Sequence, residues 1–272
     1  MPEVSRTATF VLSVDIDACT SPVDLATRRT LDEALDQLLS RLTTFNLRAT
    51  WALAEFVALP TVERIAATAG HELALLGNRS WTGEAVGRGG FSAELNRRCE
   101  SWNVLGVTPT TLAIADGSLG VAAEFVARSG VSAVRPSPGS QAGQPRGLLA
   151  KIRSLWRDGG VQPGLATPRA LRWGLWELQP SCDLLRAGAR AAQRTLDRAV
   201  AATEPVHVVL DLERLAFAGR GQWGLVDRLL RHVARRRDDG LLQACSIAGL
   251  VAMVQGSLQG RPARSILRQQ AA

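Results

Sequence analysis

The sequence is poor in the residues that build metal and redox sites. Its 272 residues include three histidines and four cysteines, and the cysteines at positions 19, 99, 182 and 245 form no CxxC pair. That spacing excludes a zinc ribbon or a thioredoxin-type motif, so we expect reduced thiols rather than disulfides. GxSxG is absent, and no GxGxxG or Walker-type run follows a predicted strand, which argues against serine-hydrolase and nucleotide sites.

Long hydrophobic runs are also missing. No apolar stretch reaches the roughly 18 residues that a membrane-spanning helix needs. The first twenty residues contain one short apolar piece, interrupted by Asp15 and Asp17, with no small-residue cleavage site after it. This pattern differs from a secretory signal. We therefore expect a cytoplasmic protein with no membrane partner.

Positive charge exceeds negative charge, and nearly all of it comes from arginine. Lys and Arg total 32, and Lys151 is the only lysine. Tyrosine is absent, and the formal net charge is +7. Arginine without lysine is typical of GC-rich coding. The basic residues are dispersed, apart from Arg235–Arg237 and the tail at 259–272, which we expect to be disordered. A run of arginine at a helix end is typical of a solvated face. Nucleic-acid binding is not expected.

Short apolar runs alternate with helical segments along the whole chain. Phe10 to Val14 is typical of a buried strand, and Leu31, Leu35 and Leu38 follow it at helical spacing. Later segments include a strand near 172–178, a helix across 182–203 and a strand at 206–212. Further strands are predicted at 48–53, 72–76, 111–115, 131–134 and 242–246.

Continuous apolar strands alternating with helices indicate a parallel sheet buried on both faces. Seven or eight such units in about 260 residues predict an α/β fold, a distorted (β/α) barrel that is closed or nearly closed. An open doubly wound sheet is the alternative. No composition shift marks a boundary, so residues 1–258 are expected to form one domain.

Functional groups of a parallel barrel gather where its strands end. The predicted strand ends carry a polar, charged set of side chains. They are Asp15, Asp17, Glu55, Asn78, Arg79, Trp81, Asp116, Arg135, Glu177, Asp211 and Glu213.

Several segments, in order, resemble the polysaccharide deacetylase (NodB-like) family. FVLSVDID resembles its first strand, which ends in an aspartate pair, and FNLRATWALAEF resembles its second. AGHELALLGNRSW is similar to the third strand, with Gly-His-Glu at its start and the metal-binding histidines at its end. TPTTLAIADG resembles the strand with an Arg-Pro-Pro motif, and VHVVLDLE the strand with a late histidine.

The resemblance implies metal-assisted amide hydrolysis. Residue by residue, Asp15 matches the catalytic base, and Asp17 replaces the metal aspartate, whose own slot holds Ile16. The two metal histidines fall on Leu76 and Ser80, the Arg-Pro-Pro motif near residues 113–115, and the late histidine near Asp211. Since leucine cannot bind a metal and serine binds poorly, no metal and no cofactor are expected. His71, at the opposite strand end, is expected to be structural.

Other chemistry remains open on the same frame. Two carboxylates across a barrel mouth can perform metal-free acid–base work, as in glycoside hydrolysis. The candidate pairs combine Asp15 or Asp17 with Glu177, Asp211 or Glu213. Seven tryptophans, among them Trp81, could stack on sugar rings, although core packing is the favoured interpretation of any single one.

Two functional hypotheses follow. In the first, the chain is a divergent deacetylase-like hydrolase of a glycan or another N-acyl substrate, with Asp15, Asp17 and Asp211 as catalytic residues. In the second, it is an inactive relative that binds a carbohydrate or a protein through the same mouth. In both, the substrate-binding residues are expected to be Asn78, Arg79, Trp81, Asp116, Glu177 and Glu213. The sequence does not determine the oligomeric state.

Overall fold

Ten strands form one curled sheet with helices on its outer face. The computed structural model describes residues 7–17, 25–54, 59–83, 86–115, 123–137 and 166–259. The strands are β1 (Ala8–Ile16), β2 (Thr50–Leu53), β3 (Glu72–Gly77), β4 (Thr111–Ile114), β5 (Ala133–Arg135), β6 (Arg169–Ala170), β7 (Trp176–Glu177), β8 (Cys182–Asp183), β9 (Pro205–Asp211) and β10 (Leu242–Cys245).

The helices lie between the strands, as the alternating pattern predicts. They are α1 (Leu25–Thr44), α2 (Leu59–Ala67), α3 (Arg79–Thr82), α4 (Gly87–Val104), α5 (Ala123–Arg128), α6 (Leu184–Ala187), α7 (Ala189–Ala202), α8 (Leu212–Phe217), α9 (Arg220–Asp238) and α10 (Ile247–Gln259). α10 extends one residue into the predicted tail, and the rest of that tail lies outside the described residues. No described helix is both long enough and apolar enough to cross a bilayer.

The strand order is β6-β7-β5-β4-β3-β2-β1-β9-β8, and β10 pairs with the first half of β1. Every ladder is parallel except that between β6 and β7. Among the described residues, no ladder joins β8 to β6 or β7. The sheet is therefore a curled, incompletely closed barrel, which confirms the predicted distorted (β/α) architecture.

Alternation along each strand separates two environments. Phe10, Leu12 and Val14 on β1 belong to the main core between the sheet and the helices. Val11, on the other face, packs inside the barrel with Trp176 and other apolar side chains. Because side chains of a strand alternate between faces, Ser13 and Asp15 share the inner face with Val11.

Two local predictions were wrong, and one helix was not predicted. Residues 182–203 form β8, α6 and α7 instead of one helix, since Asp183 caps a short helix and Gly188, at φ 77°, ends it. Residues 172–174 form a 3₁₀ turn in which Trp173 and Gly174 have positive φ, which breaks the predicted strand. Helix α8 was not predicted, and it begins because the Asp211 side chain accepts a hydrogen bond from the Arg214 backbone N–H.

Candidate active site

The carboxyl ends of the parallel strands surround a cavity of about 310 Å³. Its wall is acidic, with five carboxylates and two arginines among the lining residues. The carboxylates belong to Asp15, Asp17, Asp183, Asp211 and Glu213, and the arginines are Arg186 and Arg214. The three predicted catalytic aspartates thus line one cavity, because parallel strands in register deliver their final residues to the same edge.

Asp15, near the end of β1, forms an ion pair with Arg135. It lies level with Asp211 on the neighbouring strand, and its Oδ2 accepts a hydrogen bond of 2.9 Å from Nη2 of Arg135. Arg135 is fully buried at the end of β5. Burial raises the pKa of Asp15, although the Arg135 guanidinium opposes that rise.

This ion pair is incompletely hydrogen-bonded. Oδ1 of Asp15 and both Nε and Nη1 of Arg135 are buried without a hydrogen-bond partner among the described residues. Buried polar atoms of native proteins nearly always have a partner. The Asp15 carboxylate therefore retains an acceptor at the cavity for a water molecule or a ligand.

Asp17 and Glu213 form a second acidic group. Asn78 donates from Nδ2 to Oδ1 of Asp17 over 3.1 Å, and its own Oδ1 caps α3 by accepting from the Ser80 backbone N–H. Burial, together with the nearby charges of Asp211 and Asp17, raises the pKa of Glu213 to about 7. Its Oε1 is buried without a partner among the described residues. Glu213 is therefore a carboxylic acid that keeps its proton close to neutral pH.

Asp183 and Asp211 hold the adjacent helix starts. Asp183 accepts from the backbone N–H groups of Leu185 and Arg186 and also pairs with the Arg186 and Arg214 side chains at 3.1 and 3.5 Å. Because the caps use lone pairs of these carboxylates, part of the acidic wall also fixes the helices that carry Arg186 and Arg214.

A buried polar pair lies on the barrel's inner face below Asp15. Ser13 Oγ and His207 Nε2 are 2.6 Å apart, and both residues are fully buried. Burial and the nearby Arg135 charge lower the pKa of His207 to about 3, so the imidazole is neutral. His207 therefore contributes no positive charge to the site.

Of the predicted binding residues, Glu213 lines the cavity, whereas Asn78, Trp81 and Glu177 are not among its lining residues. Trp81 is buried in the core, where it stacks on Phe91, so its indole is not available to a sugar ring. Glu177 pairs with Arg169 at 2.7 Å. Arg79 begins α3, but its side chain is outside the described part of the structure, as is Asp116.

Sequence reasoning gave no role to Arg135, Asp183, Arg186 or Arg214. Arg135 was visible as a charged residue at a strand end. Three strands separate β5 from β1 in the sheet, so only the tertiary structure brings Arg135 to Asp15. Asp183 was hidden inside a predicted helix. The alignment with the Arg-Pro-Pro motif placed an arginine-bearing position near Ala113 on β4, whereas the arginine that contacts Asp15 comes from β5.

The residues at the metal positions do not fit a metal. Leu76 packs with Ala52, Ala74 and Ala113 in an apolar cluster on the inner face. Ser80 is exposed and bonds to Asn78. Within the described segments, no three His, Cys, Asp or Glu side chains are grouped so that they could hold a metal ion.

His71, which matches the histidine of the family's Gly-His-Glu sequence, lies at the opposite end of the barrel from the cavity. His71 Nδ1 accepts from the Ala49 backbone N–H at 3.1 Å, and its ring meets Trp51 edge-on. Burial lowers the pKa of His71. These contacts give it a structural role away from the cavity.

No family model matches the sequence, and no curated protein matches it either. Solved structures do share its fold. One is a protein from Mycobacterium smegmatis assigned as a polysaccharide deacetylase, with a TM-score of 0.67, 14% identity, and coverage of 95% of this chain and 94% of that one. Another is a 4-alpha-glucanotransferase from Thermococcus litoralis, with a TM-score of 0.62, 10% identity, and coverage of 90% of this chain and 40% of that one. The chain thus has the curled barrel fold found in polysaccharide deacetylases.

Proposed function

We propose that this chain acts on a glycan and hydrolyses a bond in the acidic cavity with two carboxyl groups and no metal. The observation that carries the proposal is the presence of Asp15 and Glu213 in one cavity, each with a buried carboxylate oxygen that has no partner among the described residues. Two carboxyl groups that line one cavity can serve as the acid and the base of a hydrolysis.

The lining of the cavity favours a sugar. Its volume is at the lower end of the range for small-ligand sites, about 300–1,000 Å³. Carboxylates accept hydrogen bonds from hydroxyl and ammonium groups, and the acidic wall repels anions. The two proteins of similar fold are assigned as a polysaccharide deacetylase and a 4-alpha-glucanotransferase. A neutral or amino sugar therefore suits this cavity better than a uronic acid.

The two carboxyl groups take different roles in this proposal. Glu213 keeps its proton near neutral pH and donates it to the leaving oxygen or nitrogen of the substrate. Asp15 accepts a proton from the attacking water at its free Oδ1. The water oxygen forms the new bond as the scissile bond breaks, and solvent then returns both groups to their starting states.

Arg135 is a positioning residue for Asp15. Its Nη2 donates a hydrogen bond to one carboxylate oxygen, and the other oxygen has no partner among the described residues. Its charge also opposes the effect of burial on the pKa of Asp15.

A second candidate function is glycan binding without turnover. It is favoured by the caps that Asp183 and Asp211 provide, since these two carboxylates are engaged in holding helix starts. The apolar cluster around Leu76 also lacks the ligands for the metal-assisted chemistry that the family resemblance implies.

The test is a substrate panel with matched variants. Oligomers of N-acetylglucosamine, glucosamine and α-linked glucose are incubated with the full chain, with and without EDTA, and mass spectrometry detects cleavage or acetate loss. Glu213→Gln is expected to lower kcat by about 100-fold or more. Glu177→Gln is the control, because that carboxylate lies outside the cavity and pairs with Arg169.

Three results separate the hypotheses. Turnover that resists EDTA, is lost in Glu213→Gln and falls above about pH 7 supports the proposal. Turnover that requires added zinc contradicts it. Binding without turnover, measured by calorimetry and weakened in Asp15→Asn, establishes the second candidate instead.

A further inference from the structure

Two neighbouring helices, α7 and α9, carry rows of exposed arginines. On α7 they are Arg190, Arg194 and Arg198, each four residues from the next. On α9 they are Arg228, Arg231 and Arg235, at spacings of three and four. Residues at these spacings lie along one side of a helix, so each helix presents one row of guanidinium groups to solvent. We call these six residues the arginine surface.

The two rows are held side by side. Gln193 donates to the Arg228 carbonyl oxygen at 3.1 Å, and Asp197 accepts from the side chains of His232 and Arg236 at 2.9 and 2.8 Å. These hydrogen bonds join the facing sides of α7 and α9. The arginines lie next to those sides and are exposed, so both rows point outward on the same side of the protein. Packed helices lie about 8–10 Å apart, and eight residues of helix span about 12 Å.

The arginine surface is not neutralised locally. None of its six residues forms an ion pair with an acidic residue of the described segments; the one side-chain contact among them runs from Arg198 to the Arg194 carbonyl oxygen. The nearest acids of the two helices are already occupied, Asp197 by His232 and Arg236, and Asp227 by Arg41. A concentrated positive potential therefore remains on this surface.

Helix stability does not account for these arginines. A cation in the first turn of a helix opposes the macrodipole, yet Arg190 is the second residue of α7. Arg228 and Arg231 lie in the interior of α9, away from its last turn. Only Arg235 has the position that the dipole favours. The two rows thus indicate a ligand rather than a helix cap.

We propose that the arginine surface binds a nucleic-acid duplex through its phosphate backbone, without reading base sequence. Arginine is suited to phosphate because its planar fork donates two hydrogen bonds. About seven phosphate charges lie along 12 Å of duplex, counting both strands, which matches a surface of six guanidinium groups. The large exposed apolar side chains of the described segments lie outside α7 and α9, so the surface lacks the apolar face of helices that insert into membranes.

The experiment uses the full chain and a fluorescein-labelled DNA duplex of 20 base pairs and arbitrary sequence. Fluorescence anisotropy gives the Kd between 50 and 200 mM salt. The wild-type chain is expected to bind at 50 mM salt and to weaken by roughly 1,000-fold at 200 mM. Replacing Arg190, Arg194 and Arg198 by glutamine is expected to lower the slope of log Kd against log salt by up to about 3.

A matched control removes three exposed arginines elsewhere. The control variant replaces Arg28, Arg97 and Arg172 by glutamine and loses the same charge. Circular dichroism and thermal unfolding establish that each variant is folded. The proposal is overturned if the control weakens DNA binding as much as the α7 variant, or if the wild type fails to bind DNA at 50 mM salt. Binding to vesicles that contain phosphatidylglycerol, with no binding to DNA, would also overturn it in favour of a lipid surface.

Discussion

Substitution of Glu72 tests how hydrogen bonds at the start of the strands stabilise the barrel. Its Oε1 accepts from Thr111 Oγ1 at 2.5 Å, and its Oε2 accepts from Thr50 Oγ1 at 2.8 Å and from the Ala248 backbone N–H at 2.9 Å. Thr50 in turn accepts from the Ile247 N–H. One carboxylate therefore joins β2, β3 and β4 to the start of α10, at the end of the barrel opposite the cavity.

The loss in Glu72→Ala can be worked from these contacts. Hydrogen bonds to a charged group contribute about 1.5–3 kcal/mol each, and three short ones are removed. Because Glu72 is only partly buried, water replaces some of them, and we expect a net loss of about 3 kcal/mol in the free energy of unfolding. For a chain of this size, that corresponds to a decrease of roughly 6 °C in Tm.

Urea denaturation and thermal unfolding measure this loss, with Glu33→Ala as the control. Glu33 is an exposed partner of Arg29 on α1, and such pairs contribute less than about 1 kcal/mol. Faster hydrogen exchange at Ile247 and Ala248 in Glu72→Ala would show that α10 has loosened. If Glu72→Ala and Glu33→Ala lower Tm equally, the reasoning about Glu72 is refuted.

Three further predictions concern the site and its supports. The raised pKa of Glu213 means that the folded state holds this proton more tightly than the unfolded state, so stability falls as pH rises from about 4.5 through about 7. At pH 8 the free energy of unfolding of Glu213→Gln should therefore exceed that of wild type by about 1 kcal/mol after solvent screening. Thermal unfolding should show a higher Tm for the variant at pH 8 and no difference near pH 4.5. Arg135→Met should cost about 3 kcal/mol, because it leaves Asp15 buried without its cation, and urea denaturation should show that adding Asp15→Asn recovers part of that loss. Gly188→Ala should lower the free energy of unfolding by about 1–2 kcal/mol because alanine is strained at φ 77°. No neighbouring atom blocks the new Cβ, so backbone strain alone causes the loss. An unchanged Tm would contradict this.

The fold was predictable from the sequence because its signals are local. Buried parallel strands appear as short apolar runs, and α1 places Leu31, Leu35, Leu38 and Leu42 on its buried face. The predictions failed where one residue changed the chain direction. Gly188 and Trp173 have positive φ, and a pattern of hydrophobic residues contains no information about backbone dihedral angles.

The sequence by itself determined that Asp15, Asp17 and Asp211 end strands, and that leucine and serine stand at the metal positions. Tertiary structure decided which charges meet. Only the curling of the sheet places Arg135 against Asp15, because three strands lie between β5 and β1. Only the packing of α7 on α9 brings together arginines that are dispersed along the chain. The physical reason is that strand and helix formation depend on near neighbours, whereas electrostatic fields and pKa values depend on distances in space between residues that are remote in sequence.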